Sequence, residues 1–253
     1  MESLNRVWPL PGRLMLAIGL AGFGLTNLTF SAPLDGLQLI PPGTDVVMTS
    51  RATGVLWLAT ATGLFIPPLV RPAQNVGVML CVLLLVSWVL LAFIAEVWPP
   101  VVGWVSMAEL WGISAGVASV RPWNAESRRS NRVIVGGMLI LFGFVHWIYV
   151  GAIAGMIPEW IPGRQIWPFF TGAANILAGM AIASGVFSRP ASALVGAMFA
   201  SWILLVHLPR LLAAPGDKAE WVGLALAFAL TGAVWTIHRA LASSGEDLQP
   251  SAR

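Results

Sequence analysis

"VRPAQNVGVM", residues Val70 to Met79, returns as "SRPASALVGAM", Ser188 to Met198. In both places an Arg-Pro pair opens a long apolar run, as proline does where its missing N–H costs a helix nothing. Three further matches precede the pair in the same order: "FGLTNL" (Phe23 to Leu28) with "FGFVHW" (Phe142 to Trp147), "LIPPG" (Leu39 to Gly43) with "EWIPG" (Glu159 to Gly163), and "RATG" (Arg51 to Gly54) with "FFTG" (Phe169 to Gly172). The offsets stay between about 118 and 120, and each match sits at a helix end or turn. Shared hydrophobicity alone does not give four ordered matches, so the spacing predicts a tandem repeat.

The chain has 253 residues, 57% of them hydrophobic and 10% charged, with a mean hydropathy of +0.81. A soluble core cannot hide that much apolar surface, so the composition points to lipid. The net charge of +3 comes from basic residues placed singly at the ends of apolar runs, which excludes a nucleic-acid surface and marks a membrane face. One cysteine, Cys81, rules out a disulfide or a thiolate cage within the chain and reads as a small lipid-facing or packing residue.

Apolar stretches long enough to cross ~30 Å of hydrocarbon are expected at 14–30, 50–70, 74–97, 100–120, 133–155, 168–187, 190–213 and 219–238. The expected fold is all-α: a polytopic membrane protein of eight transmembrane helices, arranged as two tandem parallel four-helix bundles. Four spans per copy bring both copies in from the same side. Residues 1–120 form the first unit, 121–132 ("RPWNAESRRSNR") a basic linker, and 133–253 the second unit with a short tail.

The start of the first span, after Arg6 and Arg13, has the look of a signal peptide. Its pairing with the internal span at 133–155 favours a retained helix. Arg6, Arg13, Arg71, Arg121, Arg128, Arg129, Arg132, Arg189, Arg239 and Arg253 fall on the face of the termini; Arg51, Arg164, Arg210 and Lys218 fall on the other. The bias places both termini in the cytoplasm and the chain in a cell inner membrane. The "RRSNR" run (Arg128 to Arg132) is a positive-inside anchor, or in a sharper reading a site for anionic lipid headgroups.

The second half, through "FGFVHW", "IPEWIPG", "FFTGAANILAGMAIASGVFSRPASALVGAM" and "LLVHLPRLL", resembles the DoxX-like family of small four-helix membrane proteins. The resemblance covers about 132–237 directly and 14–120 through the repeat. It implies a four-helix membrane module, in some relatives linked to quinone-coupled or other redox complexes. The fusion of two units and the lack of a cysteine motif depart from the common form.

Three histidines are present. His238 sits at a helix end beside Arg239 and reads as interfacial. His146 and His207 lie deeper, with Asn175 at comparable depth, and their repeat counterparts are Asn27, Trp88 and Trp57. The polar trio therefore exists in one copy only. It is either a set of interhelical hydrogen-bonding groups or the lining of a small polar pocket in the second unit. Such a pocket would take a quinone or similar small molecule or, with less support, haem between the two rings; no metal cluster is apparent.

Arg210, three residues past His207, would stand at the mouth. Glu109, in "WVSMAELWGISAG", is the one formally charged residue near the centre of a span. It is either a neutral hydrogen-bonding acid or a proton- or ligand-handling group, and its counterpart, Leu226, is apolar. Trp98, Trp160, Trp167 and Trp221 at one boundary, and Trp8, Trp123 and Trp235 at the other, form an aromatic belt. Gly112 with Gly116, and Gly151 with Gly155, have spacing suited to close helix packing.

The expected function is a membrane component of a redox or quinone-linked system. The alternatives are a non-enzymatic subunit or assembly partner of a larger membrane complex, and a transporter that uses Glu109. A lipid bilayer and membrane proteins are the expected partners; nucleic acid is not.

Overall fold

The structure, a computed structural model, describes residues 10–94 and 101–242. Arg6, Trp8, Trp98 and Arg253 lie outside them, and so does the side chain of Arg239. The described residues are mainly helical, without a strand. In chain order the helices are α1 (Leu10–Phe30), α2 (Val46–Gly63), α3 (Val70–Ile94), α4 (Val101–Ser119), α5 (Ala125–Ile148), a short α6 (Val150–Met156), α7 (Trp167–Ser184), α8 (Ser188–Trp202), a further short α9 (Leu208–Ala213) and α10 (Lys218–Ala242).

Among the described residues, five segments are long and apolar enough to cross a membrane: Pro11–Phe30, Pro67–Leu91, Ala125–Ile148, Ser188–Ala213 and Lys218–His238. They are consistent with an integral membrane protein. The expected spans at 50–70, 100–120 and 168–187 appear as α2, α4 and α7, whose 18 to 19 residues reach only about 27 Å at 1.5 Å per residue.

Local chemistry explains several boundaries. Asp45 caps α2 by accepting from Met48 N–H at 2.9 Å. Residues 125–132, taken from the sequence as linker, are the first two turns of α5. Asn124 accepts from Ser127 N–H, and Ser127 Oγ accepts in return from Asn124 N–H, a reciprocal cap that starts the helix early. The same helix ends at Ile148 instead of running to 155, because Tyr149 leaves helical geometry (φ −109°, ψ 38°) before α6 resumes.

Between α8 and α9, Ile203–His207 is wound as a π-helix. Pro209 brings no N–H and its ring crowds the carbonyl four residues back, and Leu208 N–H reaches Ile203 O across the widened turn.

The helices pack as a ring: α1 on α2, α2 on α3, α3 on α4, α4 on α5, α5 on α7, α7 on α8, α8 on α10, and α10 back on α1, with α4 also against α10. Close approaches depend on missing side chains. A Cβ on Gly24 would lie 2.7 Å from Gly54 O, and one on Gly143 2.5 Å from Gly172 O, so α1/α2 and α5/α7 cross backbone to backbone. At the α4/α10 contact Gly116 meets Ala233, and Thr236 Oγ1 donates to Gly116 O at 3.1 Å. Of the small-residue pairs singled out in the sequence, Gly112 packs on Met138, whereas Gly151 and Gly155 have no neighbour within 4 Å of an added Cβ. α6 is exposed on that side and has nothing to approach.

Candidate functional site

A cavity of about 270 Å³ lies between α4, α5, α6, α7, α8, the π segment and α10. Its wall is mainly apolar: Phe142, Val145, Phe199, Trp202, Val206, Leu226 and Leu230. Ile153, Met156 and Ile157 close it from the side of α6. The break at Tyr149 places that short helix over the opening instead of prolonging α5.

Four polar side chains interrupt this wall: Glu109, His146, Thr171 and His207. Thr171 is internally satisfied, donating to Trp167 O at 2.8 Å. His146 Nδ1 lies 2.7 Å from Phe142 O. A carbonyl only accepts, so Nδ1 carries the proton and Nε2 of the neutral ring is left as an acceptor. That nitrogen has no partner among the described residues, and neither has either ring nitrogen of His207 nor the carboxyl of Glu109.

The π segment ends on His207 and sets its ring at the wall beside Gly223, where an added Cβ would lie 3.4 Å from Nδ1. Three half-buried polar groups around one apolar cavity form a surface that a guest with its own hydrogen-bonding groups would complete.

The structure thus brings Glu109, His146 and His207 to one cavity and leaves the other two candidates out of its wall. Asn175 is fully buried one turn beyond Thr171, with neither amide atom hydrogen-bonded. Arg210 is held in a two-pronged pair with Glu220 at 2.9 and 2.6 Å, which ties α9 to α10. The cavity is also not confined to the second unit: Val105 and Glu109 come from α4. No group of three or more His, Cys, Asp or Glu among the described residues is placed to hold a metal ion.

Trp202, one of the deeper tryptophans that the sequence offers with Trp57, Trp88 and Trp111 as core packing or pocket lining, stands edge-on to Trp167 at 5.8 Å; sequence reasoning passed over Thr171, the counterpart of Thr53. For Thr171 the signal was there, since "FFTG" was already aligned with "RATG". Comparison with family models, with curated proteins and with solved structures finds no match to this chain.

Proposed function

We propose that the chain is an eight-span inner-membrane protein made of two DoxX-like four-helix units in tandem. It binds a small, largely apolar molecule between α4 and the second unit and exchanges protons with it. The observation that carries the binding reading is the cavity itself, where an acid and two imidazoles with open hydrogen-bonding positions share an apolar wall with Phe142, Phe199 and Trp202.

The tandem arrangement is supported by contacts that recur at the repeat spacing. The Gly24/Gly54 crossing corresponds to Gly143/Gly172, and Gly19 on Ala229 corresponds to Met138 on Gly112. At the Arg-rich end, Arg71 and Gln74 bond to Arg121 O, and at the matching positions Arg189 O and Ser192 Oγ meet His238 Nδ1. Gly116 and Ala233 are counterparts and touch each other, as residues on a pseudo-twofold axis must. Helix α4 carries "WVSMAELWGISAGVAS" where α10 has "WVGLALAFALTGAVWT", 117 positions on.

A quinone-type ring is the guest that best suits such a wall. Its flat apolar body fills an aromatic cavity, and its oxygens need hydrogen-bond donors and proton exchange. Glu109 and the two imidazoles would hold and pass protons, and the electrons would belong to a partner complex in the membrane.

The test is purification of the whole chain in mild detergent, followed by extraction and mass spectrometry of what it carries, with absorption spectra before and after borohydride. A quinone gives an ultraviolet difference and disappears in Glu109→Leu. A Soret band would replace the reading with haem. A redox-inert molecule would leave the cavity as a binding site and end the redox assignment.

A further inference from the structure

The two ends of the helix bundle treat their charges differently. At the end of the α1–α2 and α5–α7 connections, Arg164 pairs with Glu159, Arg210 with Glu220 and Lys218 with Asp35, and Arg51 donates to Ser31 Oγ. The cations there are neutralised or tied down within the chain. At the opposite end lie Arg13, Arg71, Arg121, Arg128, Arg129, Arg132 and Arg189, with Glu126 as the only acid among the described residues. Arg121, Arg128, Arg129 and Arg132 make no ion pair among the described residues. Arg128 and Arg132, one turn apart on α5 and so on one face, have Nε atoms buried without an acceptor.

The α7–α8 turn is shaped around Arg132. Gly185 takes a left-handed φ of 88° and leaves room for the Arg132 guanidinium, whose Cζ would lie 2.9 Å from an added Cβ. Phe187 follows at φ 55°, a strained value for an aromatic residue, and that conformation leaves Val186 61% and Phe187 75% exposed. The counterpart of Arg132 in the first half, Arg13, is instead covered by the Phe65 ring at 5.0 Å. The second half therefore sets the Arg132 guanidinium, one helical turn from that of Arg128, beside a bare apolar turn.

We infer that Arg128 and Arg132 bind the phosphodiester of an anionic phospholipid, with its acyl chains lying against Val186 and Phe187. Guanidinium groups match phosphate oxygens through paired, charge-assisted hydrogen bonds, and an anionic leaflet supplies the ligand.

The test uses the full chain, delipidated in mild detergent, with native mass spectrometry after adding phosphatidylglycerol or phosphatidylcholine of identical chains. Wild type retains phosphatidylglycerol preferentially, and R128Q/R132Q lowers that retention about tenfold, as the loss of charged hydrogen bonds requires. R128K/R132K, which keeps both charges and the fold, falls in between. R129Q, at an exposed guanidinium, matches wild type. Phe187→Ser weakens the lipid, and inorganic phosphate does not displace it. Equal retention of the two lipids, or an unchanged preference in R128Q/R132Q, would reduce the arginines to markers of topology. Full displacement by inorganic phosphate together with an unaffected Phe187→Ser would assign a free-phosphate site instead.

Discussion

The same positions are filled in the first half of the molecule and left open in the second. Asn27, the counterpart of His146, is fully buried and donates to Ala32 O and Gln38 Oε1 at 2.9 Å each. Gln38 passes the chain on to Thr53 at 3.1 Å. Trp57, the counterpart of Asn175, is 1% exposed and packs on Phe23 with ring centroids 5.6 Å apart. The α1–α2 connection thus plugs its own unit with Gln38, whereas the α5–α7 connection breaks into α6 and covers a cavity. α3 runs unbroken through Trp88; its counterpart carries the π segment that presents His207. The first half closes its core where the second half, together with α4, encloses a cavity, and the difference comes from a few substitutions on a common set of crossings.

The largest expected effect is at the plug. Trp57→Ala empties the space that the first half fills and should cost about 3–5 kcal/mol in unfolding measured in mild detergent. A loss below about 1 kcal/mol would mean that the indole is not a structural filler.

The shared crossings should respond alike. Gly24→Val and Gly143→Val each push a side chain into the facing backbone or its neighbours, with an expected loss of about 1–3 kcal/mol apiece. If one variant is damaged and the other is untouched, the two crossings are not equivalent.

The buried amides should differ in sign. Asn27→Leu strips Gln38 Oε1 and Ala32 O of a donor and should cost about 1–3 kcal/mol. Asn175→Leu removes an amide that has no partner to lose, and is expected to be neutral or to gain up to ~1 kcal/mol. Destabilisation by Asn175→Leu that appears only when the copurifying molecule is present would bring that residue into the site after all. The smallest contrast is at His146, where Asn, the residue of the sister unit, should retain more of the bound molecule than Leu, with thermal stability unchanged.

Much of the fold could be read in the sequence because lipid demands long apolar runs and punctuates them at Pro, Gly and charge. Gly43 and Gly163, matched in "LIPPG" and "EWIPG", both adopt left-handed turns, at φ 84° and 68°. Helix ends were harder to place. The Asn124/Ser127 cap lay inside a run that reads as a charged linker, and Tyr149 breaks α5 with no Gly or Pro to announce it. The expected span at 190–213 was read as unbroken, although Pro209 within it lacks an N–H and crowds the preceding turn, where the π segment lies.

The site was half legible. Residue spacing gives depth along a helix but not the direction a side chain takes around the bundle. His146, His207 and Asn175 therefore looked equivalent until packing separated Asn175 from the cavity. Glu109 joined them because α4 packs on α5 and α10 of the other unit, a neighbour relation that hydropathy does not carry.

The most direct test of an open second half and a closed first half is to give His207 the residue that its sister position holds. Small molecules bound to purified wild type and His207→Trp are quantified by extraction and mass spectrometry, with thermal stability followed in parallel. The account expects about one non-lipid molecule per chain in wild type, as a single site requires, and its loss in His207→Trp without a drop in stability, because the indole would occupy the cavity where its counterpart Trp88 packs, partly buried, against the core. Wild type that carries nothing but lipid, or a His207→Trp protein that keeps its molecule, would contradict it.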